Sequence, residues 1–175
     1  MSKGGARNRS GPSPDPKSRT SERKGYILTA LPNGGFDGEV PEFPLPKMSI
    51  FRWEYEGDRR FQVYDTSATE TFRERELDLW ATVWSYPQAC AWSLEPWRWN
   101  SVAMWTRTFV TCESSSATAA DKGSLHRFAD QIGLTPAGLR ENGWAIAPDQ
   151  VAVKRDEPEE ATPRRERRLR AVDAQ

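Results

Sequence analysis

At 175 residues the chain has room for one domain of ordinary size, and with 37% hydrophobic and 29% charged residues, 13 prolines and 12 glycines, part of it is expected to lie outside a packed core. No apolar run approaches the roughly 20 residues of a membrane span, and MSKGGARNRSGPSPDP at the N-terminus has no hydrophobic stretch for a signal peptide, so a cytoplasmic protein is expected. The formal net charge of zero hides a segregation: residues 1–24 carry seven Lys/Arg against Asp15 and Glu22, a net of +5, whereas 25–153 hold 11 basic and 17 acidic residues, a net of −6.

Residues 1–25, rich in Gly, Pro, Ser and charge, cannot bury enough apolar surface to order themselves and read as a disordered basic arm. The next segment, 26–47, mixes apolar residues with four prolines in YILTALPNGGFDGEVPEFPLP, the pattern of extended chain lying along a surface, its own or a neighbour's. A folded body is expected over 48–147. It opens with a β-hairpin at 50–65, in which Phe51, Trp53 and Tyr55 alternate with polar residues, as do Phe61 and Val63 after Gly57-Asp58. A two-residue turn pairs Glu56 with Arg59 but puts Phe61 on the face opposite Tyr55. A longer loop aligns Tyr55 with Phe61 and Trp53 with Val63, gathers the apolar residues on one side, and is favoured because burial usually sets register. Glu54, Glu56, Asp58 and Asp65 then form a solvated outer face.

After Asp65 the chain reads as helical, so the expected fold class is mainly α: a small helical body with an inserted β-hairpin, a disordered basic N-terminal arm and a charged C-terminal tail. Ser67-Ala-Thr-Glu70 has capping-box spacing, and Phe72, Leu79, Trp80, Val83 and Trp84 share one face of a helix from about Thr69 to Ser85. Pro87 opens a short second helix, PQACAWSLE, that stops before Pro96. In a third, Trp99, Val102, Ala103, Thr106, Phe109 and Val110 recur at helical spacing, with Met104 and Trp105 outside the stripe. A helix apolar nearly all round is central to a core or shared with another subunit. Leu125, Phe128, Ala129 and Ile132 mark a fourth helix ended by Gly133, Thr135-Pro136 begins a fifth, PAGLREN, and Gly143-Trp144 closes the body. Residues 148–175 read as a flexible charged tail, within which 163–172 can form a short basic helix against a partner.

The sequence carries no GxxxxGK[ST], GxSxG, HExxH or GxGxxG motif. Cys90 and Cys112, without a CxxC pair, fit neither a disulfide framework nor a zinc site, and the single histidine, His126, excludes a histidine-rich metal centre. Nothing in the spacing supports a nucleophile built from either cysteine with His126, which lies off the Leu125/Phe128/Ile132 stripe and reads as an exposed helix residue. No enzyme activity, metal or cofactor is expected. Of the eight tryptophans, Trp80, Trp84 and Trp99 lie on core stripes, while Trp53, Trp97, Trp105 and Trp144 remain open to partner contact. The fourth and fifth helices, joined by Gly133-Leu-Thr-Pro136, have the outline of a helix-turn-helix whose second helix carries only Arg140 as a base.

Four stretches, GGARNRSGPSPDP (4–16), LTALPNGGFDGEVPEFPLP (28–46), ERELDLWATVWSYPQACAW (74–92) and GLTPAGLRENGWAI (133–146), resemble the small terminase subunits of tailed bacteriophages, especially those infecting actinobacteria. The preference for Arg over Lys fits a GC-rich genome. The resemblance covers most of the chain except 50–65, which reads as an insertion, and includes no catalytic signature. It implies a non-enzymatic packaging protein of the infected host's cytoplasm. Such a subunit forms a homo-oligomeric ring, binds viral double-stranded DNA near the packaging start site, and delivers it to the large terminase subunit, whose ATPase and nuclease it regulates.

The residues assign roles compatible with that account. Arg7, Arg9, Lys17, Arg19, Arg23 and Lys24 are candidates for phosphate contact, multiplied by avidity in a ring. Trp99, Met104, Trp105 and Phe109 are the candidate subunit interface. Arg164, Arg165, Arg167, Arg168 and Arg170 are placed to touch DNA or the large subunit, with neither preferred. A helix-turn-helix transcription regulator and a ring-forming phage connector are the alternatives.

Overall fold

The computed structural model describes residues 28–147, so the expected arm at 1–25 and tail at 148–175 lie outside the described residues. In chain order the elements are β1 (Thr29–Leu31), β2 (Phe51–Glu56), β3 (Arg59–Tyr64), α1 (Thr66–Val83), α2 (Ala89–Trp92), a 3-10 turn (Pro96–Arg98), α3 (Trp99–Cys112), α4 (Ala119–Gln131), α5 (Pro136–Glu141) and β4 (Trp144–Ile146). The described chain is mainly helical, with two separate two-stranded sheets: β1 pairs in parallel with β4, and β2 in antiparallel fashion with β3.

The helix boundaries follow from local chemistry. α1 begins three residues earlier than the Ser67–Glu70 spacing predicts, because Asp65 at the end of the hairpin is extended and its Oδ1 accepts from the Ala68 amide at 2.9 Å. The Ser67–Glu70 spacing thus falls inside the helix. α2 is a single turn flanked by tight i to i+3 bonds such as Ala89 N to Tyr86 O, and Pro96 opens the 3-10 turn that runs into α3. Thr118 and Asp121 form a reciprocal capping box on α4, Gly133 ends that helix at φ +81, and Thr135 caps α5 through the Gly138 amide at 2.9 Å.

The core is organised around tryptophan. Trp84 is fully buried, with the rings of Phe36, Trp80, Trp92 and Trp99 at 5.5 to 6.0 Å in edge-on arrangements, which set positive ring edges against negative faces. Three other indole N–H groups donate to carbonyls: Trp80 to Pro41 O at 2.7 Å, Trp92 to Ile132 O at 3.0 Å and Trp99 to Trp92 O at 2.8 Å. The Pro-rich segment lies along the chain's own surface. Leu31 and Phe43 are buried members of the core, and the Phe43 ring meets that of Trp80 at 5.1 Å; burying such a side chain contributes about 2 kcal/mol.

A buried ionic clamp fastens that segment. Glu76 is fully buried on α1 and accepts from Arg107 Nε at 2.5 Å and from Arg73 Nη1 at 3.2 Å. The same guanidinium groups donate to the Leu45 and Pro46 carbonyls, so one carboxylate orients two arginines that hold α1, α3 and the incoming strap together. At the far corner Arg98 donates to Gln131 O at 2.7 Å and Asn142 Oδ1 at 2.9 Å, and lies 4.9 Å from the centre of the Trp144 ring. β4 then returns to β1, with Thr29 N bonded to Gly143 O and Ala147 N to Leu31 O.

Candidate functional site

The hairpin departs from its expected register. Glu56 pairs with Arg59, Tyr55 with Arg60, Glu54 with Phe61, Trp53 with Gln62 and Phe51 with Tyr64, so the loop is the two-residue Gly57-Asp58 turn and not a longer one. Gly57 takes φ +58 while Asp58 stays at negative φ, the pattern of a type II′ turn whose twist matches paired strands. Burial does not choose the register here because neither face is buried against the body. The turn and the Glu56–Arg59 cross-strand pair decide it.

That register sorts the side chains by chemistry. One face carries Phe51, Trp53, Tyr55, Arg60, Gln62 and Tyr64, with no acid; the other carries Arg52, Glu54, Glu56, Arg59, Phe61 and Val63. On the first face the Arg60 guanidinium stacks 3.7 Å from the Trp53 ring centre, and the Phe51 and Tyr64 rings lie 5.9 Å apart. Trp53 is 48% exposed and Tyr55 70%. Large aromatics gathered on an exposed face mark an interaction surface, and Trp, Tyr and Arg are the residues that dominate such contacts. The acids expected on one outer face divide: Glu54 bonds Arg52, Glu56 faces Arg59, Asp58 sits in the turn, and Asp65 caps α1.

Where the hairpin meets the helices there is an open cleft of about 540 Å³, floored by Ile50, Ala68, Phe72 and Val110 and rimmed by Arg52 and Arg75. Both rim arginines are already matched. Arg75 makes a bidentate pair with Glu113 at 2.6 and 3.0 Å, which holds the Glu113 carboxyl below its ordinary value and raises the guanidinium, and Glu54 likewise raises Arg52. The cleft therefore offers apolar floor but no free cation pair for an anion.

The candidate residues on α3 fare differently from one another. Met104 is 37% exposed, but Trp105 is 8% exposed and packs against Phe109 at 5.3 Å, while Trp99 and Phe109 are half-buried against the core. The reading of Trp105 as open to partners is corrected: α3 packs against both α1 and α4, and Trp105 is buried within this chain, whereas Met104, also outside the stripe, stays exposed. Trp144 is also buried, beside Arg98, and not available to a partner. Trp53 and Trp97 are exposed as expected. The candidate phosphate contacts Arg7, Arg9, Lys17, Arg19, Arg23 and Lys24, and the tail arginines Arg164, Arg165, Arg167, Arg168 and Arg170, lie outside the described residues.

His126 is exposed on α4, and Cys90 and Cys112 are half-buried free thiols. Burial pushes the Cys90 thiol above its ordinary value, with a further push from nearby Asp37. Among the described residues no group of three or more His, Cys, Asp and Glu side chains is placed to hold a metal ion, and no helix is long and apolar enough to cross a membrane. The α4–α5 corner is tight, since a Cβ on Gly138 would stand 2.3 Å from the Asp130 carbonyl oxygen. Arg140 lies in the last turn of the six-residue α5. Sequence reasoning missed the aromatic face as a surface, although the Gly57-Asp58 dipeptide between Glu56 and Arg59 was the signal that fixes it. Comparison of the chain with protein-family models, with curated proteins and with solved structures gave no match.

Proposed function

We propose that this chain is a small terminase subunit of a tailed bacteriophage: a non-catalytic, ring-forming adaptor that binds viral double-stranded DNA and hands it to the large terminase subunit. The observation that carries the reading is charge segregation, a net +5 over residues 1–24 against −6 over 25–153, joined to the four sequence stretches that resemble this family. Basic arms meet phosphates without needing a base-reading element, and a ring multiplies a weak arm by avidity. An acidic, mainly helical body with an exposed aromatic hairpin suits contact with protein better than contact with DNA. The host cytoplasm is where such packaging would occur.

The test is DNA retention by the full-length chain and by a chain lacking residues 1–24, across a salt series. The proposal expects salt-sensitive binding that the truncation abolishes; equal binding by both chains overturns it. A second reading, a helix-turn-helix regulator, draws on the tight α4–α5 corner and on Arg140. Recognition helices present their N-terminal residues to base edges, whereas Arg140 is in the last turn of α5. Loss of DNA binding on Arg140→Ala, with the arm intact, would favour that reading over the adaptor.

A further inference from the structure

We infer that the β2–β3 hairpin is a self-association element, in which the β2 edge of one copy pairs with the β3 edge of a second copy. A lone two-stranded hairpin is marginal in water, and this one exposes both faces while, among the described residues, no further strand pairs with either edge. Exposed edges in soluble proteins are normally blunted by short length, by proline or a bulge, or by charged side chains, lysine above all, whose repulsion an edge of opposite charge removes. Neither FRWEYE nor RRFQVY contains proline, glycine or lysine, and the six-residue register runs without a bulge.

The occupant follows from charge. β2 carries Glu54 and Glu56 with Arg52, and β3 carries Arg59 and Arg60 with no acid. Pairing β3 with β3 would oppose arginines, and pairing β2 with β2, although it can set Arg52 against a glutamate, leaves both β3 edges open, so neither two-fold arrangement covers both edges. Pairing β2 with β3 is complementary. In the register already present inside the hairpin, Glu56 would face the partner's Arg59 and Tyr55 the partner's Arg60, repeating the stacked aromatic and arginine pattern along the acid-free face. Such a contact is head-to-tail, the kind that propagates and closes into a ring. The contact stands on the hairpin alone; only its closure into a ring rests on the packaging reading.

The test is sedimentation velocity on the full-length protein without DNA, for the unaltered chain, for E54K/E56K, for R59E/R60E, and for an equimolar mixture of the two variants. The unaltered chain is expected to sediment several-fold above its 19.9 kDa monomer mass, each variant alone at the monomer mass, and the mixture at the unaltered mass, because the reversed edges are again complementary. Variants that assemble alone, or an unaltered chain that stays monomeric, overturn the inference. A second measurement guards against hairpins that unfold on charge reversal. Glu56→Cys mixed with Arg59→Cys should give a disulfide-linked dimer under mild oxidation that neither gives alone, and no such dimer refutes the pairing. With no DNA present and the arm intact, a failure here is separable from failure of the DNA-binding reading, which the arm truncation tests.

Discussion

Glu76 on α1 accepts a hydrogen bond from Arg107 on α3 at 2.5 Å, with the carboxylate fully buried and the guanidinium also bonded to the Pro46 carbonyl. One ion pair thus joins two helices and the Pro-rich strap. Removing the carboxylate charge leaves Arg107 and Arg73 partly buried without their counter-ion, a change that costs about 3 kcal/mol or more. Glu76→Gln should lower the melting temperature by roughly 10 °C in a thermal unfolding scan, and an unchanged Tm would show that the strap is held by packing alone.

Gly133→Ala tests the corner that links the helices to β4. The residue sits at φ +81, and an added Cβ would stand 2.6 Å from the Trp144 ring. Strain and clash together should destabilise the chain by about 2 kcal/mol and move Trp144 from its buried position, visible as a red shift in tryptophan emission. Equal stability would mean that the corner relaxes freely.

Acid should weaken the fold through identifiable carboxylates. The Arg75 hydrogen bond lowers Glu113 from its ordinary 4.5, and the Thr118 side-chain and backbone bonds lower Asp121 from 3.8. A carboxyl depressed in the folded state contributes stability above its unfolded value, and that contribution is lost as pH falls through the folded value. Stability should therefore be level down to about pH 5 and decline below about pH 4. Both groups lie near the surface, so the effect is modest. Glu113→Gln with Asp121→Asn should flatten the acid limb in a pH series of unfolding midpoints, and an unchanged limb would assign the decline to other groups.

Cys90 is half-buried, its Sγ 3.5 Å from the Gly35 carbonyl oxygen and its thiol pushed up mainly by burial. The thiolate is the reactive form. In a Cys112→Ala background, alkylation should be slow at neutral pH and accelerate only in alkali; rapid labelling at pH 7 would show that the site opens or that the thiol is activated.

The helices were legible in the sequence because their signals are local. Thr135 before Pro136, and Gly133, each fix a boundary through bonds within a few residues, whereas the Thr118–Asp121 box that starts α4 went unread. Two features escaped for non-local reasons. β1 and β4 are three residues each and exist only because the chain ends of the body meet, with Leu31 beside Ile146. Trp105 and Trp144 looked available because periodicity describes one helix at a time, whereas their burial comes from neighbouring elements. The hairpin failed in the opposite sense: a burial argument was applied to a ribbon that is not buried, so turn chemistry prevailed. Asp65 shows the same competition on a smaller scale, capping α1 ahead of the Ser67 spacing.

Ring assembly and DNA engagement through the basic residues of 1–24 are the two properties the proposed adaptor cannot lack. Both are read at once from the solution mass by light scattering, with and without a DNA duplex, at low and moderate salt. A packaging adaptor should give roughly eight or more 19.9 kDa subunits and a shift on adding DNA at low salt. A monomer or dimer under every condition, with no shift, would contradict it.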